Sequence, residues 1–232
     1  MVPRAGAIGD ATRRTGNDAP MPDRDDQKSL HWHDAAERLE GLIRRAEARR
    51  GAGAAVVVGI TGPVGSGKTT LAHRLGGTVV STDHYLPDYA GLPEHERDEP
   101  RHADLASLAE HLAALRTGAG VEMPEWCFQL HRRIGSRRVE PSGLIVCEGI
   151  FALHETVRAH LDVAVYVEAD AATRWARWER IEASGERGWG VERARKYFQN
   201  VADPTFARHA DTYRRAADIV VINEGTAGMT DS

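Results

Sequence analysis

From Ala54 to Ile222 the chain alternates between short apolar runs and longer stretches of helical periodicity. The runs Val56 to Ile60, Thr78 to Ser81, Leu144 to Cys147, Val163 to Val167 and Ile219 to Ile222 are apolar without the every-second-residue polarity of a half-solvated strand. Such strands are buried on both faces, which predicts a parallel sheet. Leu105 to Arg116 and Ala171 to Ala183 carry apolar residues at helical spacing. The predicted class is α/β, three layers with helices on both faces of a parallel sheet, and ligands collect at the carboxyl ends of such strands. Ahead of this block, Ser29 to Arg50 places Leu30, Leu39, Leu42 and Ile43 among Ala, Glu and Arg, an amphipathic helix that stops at Gly51. Met1 to about Lys28 has charges, prolines and glycines but hardly a large apolar side chain, so it is expected to be disordered.

Composition narrows this picture. At 232 residues, 41% hydrophobic and 28% charged, the chain suits one α/β core plus a tail. A net charge of -4 and a pI near 6.3 argue against nucleic acid as a partner. Cys127 and Cys147 lack the spacing of a metal or redox pair and read as small buried hydrophobes of a reducing compartment. No apolar run has the length of a membrane span, and the start of the chain lacks a secretory core, so a soluble, cytoplasmic protein without a membrane partner is expected.

Candidate chemistry enters at Gly62-Pro63-Val64-Gly65-Ser66-Gly67-Lys68-Thr69, a full match to GxxxxGK[ST] between a predicted strand and a helix that continues through Thr70. Its glycines allow consecutive N–H groups to face one anion at a helix N-terminus. Lys68 adds a cation for the terminal phosphates, and the Thr69 hydroxyl is suited to Mg²⁺. The motif leaves open whether the nucleotide is hydrolysed, transferred or sensed. Two further strand-like runs end in acids, Asp83 and Glu148, at the same predicted sheet edge. Beside a phosphate loop, such a pair suggests a proton acceptor and a metal organiser. Arg174 and Arg177 share a helix face, with Arg180 and Arg187 beyond, a row suited to neutralising phosphoryl charge. The basic cluster Arg132, Arg133, Arg137 and Arg138 reads as a solvated hairpin.

These segments resemble, in matching order from Val56 to Asn223, the uridine kinase and phosphoribulokinase family of P-loop small-molecule kinases, most nearly its uridine kinase branch. Ser81-Thr82-Asp83-His84-Tyr85 resembles an S-x-D-x-F-Y segment, implying Asp83 as catalytic base. Asp98-Glu99-Pro100 resembles D-H-P, implying that Asp98 holds the sugar. Pro124 to His131 resembles P-x-Y-D-F-x-x-H, implying nucleobase contacts from Trp126, Phe128 and His131. Glu148-Gly149-Ile150, Glu186-Arg187-Gly188 and Ala217-Asp218-Ile219 also match. The chain departs from the family at Trp126 and Cys127, in place of tyrosine and aspartate, at Trp178 and Trp189, in place of lid arginines, and near Lys196, in place of a glutamine.

The resemblance implies a P-loop fold with an arginine-bearing helical lid, residues 52–225 as the kinase domain, and residues 226–232 as a flexible end. It implies ATP and Mg²⁺, with Lys68, Asp83, Arg174 and Arg177 catalytic, Thr69 and Glu148 at the metal, and Asp83, Tyr85, Asp98, Trp126, Phe128, His131 and Arg187 around a small-molecule acceptor, and family members often assemble as homo-oligomers. The acceptor hydroxyl is expected to be the 5′-hydroxyl of a pyrimidine nucleoside. A non-nucleoside alcohol and a switch ATPase stand as alternatives.

Overall fold

A computed structural model describes residues 29–50 and 53–224; the predicted tail and flexible C-terminus lie outside these residues. The chain runs β1 (Ser29–His31), α1 (Trp32–Arg50), β2 (Val56–Thr61), α2 (Lys68–Leu75), β3 (Thr78–Ser81), α3 (Leu105–Arg116), β4 (Val121–Cys127), β5 (Arg132–Val139), β6 (Leu144–Glu148), α4 (Glu155–Arg158), β7 (Val163–Glu168), α5 (Ala171–Ala183), α6 (Val191–Tyr197), α7 (Asp203–Ala216) and β8 (Ile219–Ile222). Short 3₁₀ turns fill the stretch between β3 and α3, and a π-helical segment, Phe198–Ala202, joins α6 to α7.

Six strands form one parallel sheet in the order β1-β8-β7-β2-β6-β3, as the apolar runs require. Successive residues of β2 feed opposite cores. Val56, Val58 and Ile60 pack with Leu39 and Ile43 of α1 and Leu71 of α2, while Val57 packs with Leu108 and Leu112 of α3 and Phe206 of α7. All six residues of β2 are buried, and each such aliphatic side chain contributes about 1.5–3 kcal/mol on leaving water. One boundary differs from expectation. Ser29 to His31 is not helical but pairs in parallel with Val220 to Ile222, because the edge of β8 offers backbone partners that a first helical turn could not supply.

Asp162, just before β7, locks the far side of the sheet. It accepts from the Val57 N–H at 2.9 Å and pairs with Arg50 of α1 at 2.5 Å and Arg116 of α3 at 3.4 Å. Two elements stand outside the sheet and shape the ligand side. β4 and β5 form an antiparallel hairpin with a bulge at Glu125/Trp126, in line with the hairpin expected of the basic cluster. Above the sheet edge, Trp178, Tyr197, Phe198 and Val201 make a third apolar cluster that holds α5, α6 and the π segment together.

Candidate active site

The register of the sheet decides what meets at its carboxyl edge. Glu148 of β6 lies opposite both Ile60 of β2 and Ser81 of β3, so the chain leaves three neighbouring strands at one level. From β2 it enters the phosphate loop, closed by Ser66 N donating to Pro63 O at 3.1 Å and Leu71 N to Gly67 O at 3.0 Å. Gly65 and Gly67 have φ of +77° and +99°, and a Cβ there would lie 2.4 Å from the Arg174 carbonyl and 2.2 Å from Asn223 Nδ2. Only glycine fits both the conformation and the space.

Inside this loop Lys68 is buried, and among the described residues its ammonium makes only a long contact of 3.4 Å to Pro63 O. Burial lowers its pKa, opposed by the nearby charges of Glu148 and Asp83. The Thr69 hydroxyl donates to Glu148 Oε2 at 3.0 Å. Glu148 is itself buried, and burial followed by repulsion from Asp83 raises its pKa, against the pull of Lys68, Ser81 and Thr69. A weakly partnered buried cation and an acid destabilised as an anion could receive a phosphate and a divalent cation. Among the described residues no group of three or more His, Cys, Asp or Glu could hold a metal. The Thr69 hydroxyl and the Glu148 carboxylate are hard oxygen donors, a pair that could hold a divalent cation bringing its other ligands as water and phosphate.

Asp83 follows β3 in a 3₁₀ turn whose cap, Ser81 Oγ, accepts from the Asp83 N–H at 3.4 Å. A cleft of about 590 Å³ runs from Gly65, Gly67, Lys68, Thr69 and Thr70 past Asp83 to a pocket walled by Asp98, Trp126, Phe128, His131 and Arg187. In this pocket the Tyr89 hydroxyl donates to Asp98 Oδ1 at 3.1 Å, and the Tyr197 hydroxyl also faces that carboxylate. Burial nevertheless pushes the Asp98 carboxyl up to about 6, the two tyrosines holding it back and the Asp83 charge adding to the rise. Arg187 lies 4.4 Å over the Phe128 ring and makes no ion pair among the described residues. Trp126 is almost wholly buried and spends its indole N–H on Pro87 O at 3.2 Å.

Several expected site residues lie elsewhere. Tyr85 is fully buried in the core and hydrogen-bonds His111 Nδ1 at 2.8 Å, so it does not line the cleft. The aromatic hydroxyls that do reach it are those of Tyr89 and Tyr197. Arg174 is turned away, buried against the Phe198 ring and paired with Asp203 of α7 at 2.7 Å. Arg177 borders the cleft, but its guanidinium donates to the carbonyls of Gly65 (3.0 Å), Ser66 (3.3 Å) and Asn223 (3.0 Å), clamping the back of the phosphate loop. Arg180 and Arg187 also line the cleft, and among the described residues neither they nor Arg177 has an acidic partner. Lys196 is exposed and pairs with Glu192, leaving its neighbour Tyr197 to face the pocket. Cys147 is buried, whereas Cys127 is only half-buried and does not border the cleft.

The sequence reading missed Tyr89, Tyr197, Glu182 and Asn223. Asn223, just past β8, donates to Ser66 O at 2.8 Å and reinforces the Arg177 clamp. Glu182 of α5 is buried and accepts from Trp178 Nε1 (3.1 Å) and the N–H groups of Trp189 and Gly190 (both 3.2 Å). An acid at that point of a charged helix carries little signal in the sequence, because two of its three partners lie on the next loop.

A phosphate loop at the edge of a parallel sheet, joined by one cleft to a small polar pocket under a helical lid, defines a P-loop small-molecule kinase. The pattern of the Phosphoribulokinase / Uridine kinase family matches residues 88–228, and the chain belongs to that family. It is 36% identical to a uridine kinase of Halobacterium salinarum over 71% of this chain and 78% of the relative, and 32% identical to one of Deinococcus deserti over 73% and 88%. Among solved structures, a putative fructose transport system kinase from Silicibacter sp. TM1040 shares the fold, with a TM-score of 0.65 and 22% identity over 79% of this chain and 97% of that one. The chain is thus an enzyme that transfers a phosphoryl group from a nucleotide to a small molecule. Among the described residues no helix is long and apolar enough to cross a membrane.

Proposed function

We propose that this kinase transfers the γ-phosphoryl group of ATP to the 5′-hydroxyl of a pyrimidine nucleoside. The observation that carries the reading is the unbroken cleft placing Asp83 and Asp98 beyond Lys68. In this reading the N–H groups from Gly62 to Thr70 bind the triphosphate, and Lys68 follows the charge that builds on the transferred group. Asp98, hydrogen-bonded by Tyr89, accepts from sugar hydroxyls and fixes the nucleoside. Asp83 takes the proton of the attacking hydroxyl as its oxygen bonds to the γ-phosphorus and the bond to the β–γ bridging oxygen breaks. Thr69 and Glu148 would hold Mg²⁺, which would supply charge neutralisation at the phosphates. Arg180 and Arg187 line the lid side and complete the cationic enclosure, while Arg174 and Arg177 act at a distance by fixing the lid and the loop. Phe128 and Trp126 offer apolar walls to the ring, and their burial excludes water that would otherwise compete with the acceptor.

Two observations favour a second reading, the same chemistry on a non-nucleoside alcohol. The Trp126 N–H is already committed to Pro87 O, and Cys127 brings no carboxylate to the pocket. Incubating the enzyme with ATP, Mg²⁺ and a panel of nucleosides, sugars and small alcohols, with product masses recorded, separates the two. A 5′-monophosphate of uridine or cytidine supports the first. Product from a sugar or alcohol alone replaces it with the second.

A further inference from the structure

His131 sits at the turn of the β4–β5 hairpin with φ of +52°, a conformation unusual for a residue other than glycine. Its backbone is pinned on both sides, its N–H donating to Cys127 O at 2.7 Å and its carbonyl accepting from Tyr89 N at 3.0 Å. The imidazole is fixed as firmly. One face stacks on Trp189, with ring centroids 4.7 Å apart and planes 19° from parallel, and Tyr89 stacks at 5.8 Å and 18°. Trp189 is itself held, its backbone by Glu182, and its indole by the edge of Tyr197 at 4.4 Å and by Arg193 over its face.

The Trp189 indole Nε1–H lies 3.3 Å from His131 Nδ1. An indole nitrogen can only donate, so Nδ1 must carry the lone pair, and a neutral imidazole then has its proton on Nε2. Burial, with Arg193, Arg97 and Arg187 nearby, lowers the His131 pKa and favours this neutral form. Among the described residues Nε2 has no hydrogen-bond partner, and His131 lines the acceptor end of the cleft. With Nδ1 engaged, the hydrogen-bonding edge that His131 offers a ligand is Nε2–H.

We propose that Trp189 fixes His131 as a one-way hydrogen-bond donor, so that the pocket selects an acceptor ring presenting an oxo group over one presenting an amino group, uridine over cytidine. The selectivity rests on the nucleoside reading above; the tautomer does not. An amino group opposite Nε2–H would set two donors against each other and leave both unpaired, a loss of about 10- to 100-fold in kcat/KM. Trp189 acts here as a positioning residue, because it sets the tautomer of His131.

The test combines ¹⁵N–¹H NMR of the imidazoles with kcat/KM for uridine and cytidine, on the wild-type enzyme and on Trp189→Phe, which keeps a stacking ring but lacks the N–H. The expected wild-type spectrum assigns His131 a protonated Nε2 and a bare Nδ1, and the uridine preference of about 10- to 100-fold falls to within about threefold in the variant. A proton on Nδ1 in the wild type overturns the proposal whatever the acceptor, as does a uridine-to-cytidine ratio that Trp189→Phe leaves unchanged. If neither nucleoside is phosphorylated while another alcohol is, the nucleoside reading fails and the uridine preference with it. The spectrum then decides the donor assignment alone.

Discussion

Replacing Asp98 by asparagine removes a charge that the fold holds at a cost. The carboxyl rises from 3.8 to about 6 because burial outweighs the two tyrosine hydroxyls. At about 1.36 kcal/mol per pH unit, the ionised state destabilises the folded protein by at most about 3 kcal/mol above pH 7. The sign follows from proton binding. Between 3.8 and about 6 the folded state binds more protons than the unfolded chain, so the wild type loses stability as pH rises through this window. Asp98→Asn lacks this loss. Its stability relative to wild type should therefore improve by about 1–2 kcal/mol between pH 5 and pH 8, whatever constant amount the new amide adds or removes. Urea unfolding followed by tryptophan fluorescence at pH 5, 6.5 and 8 measures the difference directly. A wild-type-to-variant gap that stays flat to about 0.5 kcal/mol across that range would refute the burial argument. Activity should move the opposite way: wild-type kcat/KM for the acceptor rises with pH through about 6 as Asp98 ionises to accept hydroxyls, and the variant loses both the rise and most of the activity.

Asp83→Asn should lower turnover by about 10²- to 10⁴-fold while nucleotide affinity, read by calorimetry, stays within about threefold; equal loss of both would assign Asp83 a structural role. Asn223→Ala removes the bonds to Ser66 O and Arg177, so donor affinity should weaken by about 3- to 10-fold with acceptor KM unchanged, and an unaltered donor affinity would show that the clamp does not set the loop. Glu182→Ala strands three N–H donors and should cost about 2–4 kcal/mol in denaturant unfolding, with Glu182→Gln milder; equal costs would mean the charge, not the hydrogen bonding, matters. Asp162→Ala leaves Arg50 and Arg116 without their shared acid and the Val57 N–H without its acceptor. A loss of about 3–5 kcal/mol is expected, and one below about 1 kcal/mol would show that water replaces the carboxylate.

Features that depend on neighbours along the chain or on the general geometry of parallel sheets are legible in the residues alone. Unbroken apolar runs announced strands buried on both faces, and Val56 and Val57 do feed opposite cores. The phosphate loop was legible because its glycines and Lys68 act within one turn of backbone. Strand ends share one edge in such a sheet, so the strand pattern alone brings Glu148 and the turn carrying Asp83 together. Which side chains enter the cleft was a tertiary decision. Tyr85 and Tyr89 lie four residues apart in one irregular segment, yet His111 of α3 draws Tyr85 into the core and Asp98 draws Tyr89 into the pocket. Arg174 and Arg177 were paired by helical spacing, but Asp203 and the carbonyls of the phosphate loop, distant in sequence, claim their guanidinium groups, and Arg187 of the following loop lines the pocket instead. Trp189 reads in the sequence as a lost arginine. Its contact with His131 across 58 residues of chain gives it a role, because the direction of a long side chain is set by whichever partner the fold brings within reach.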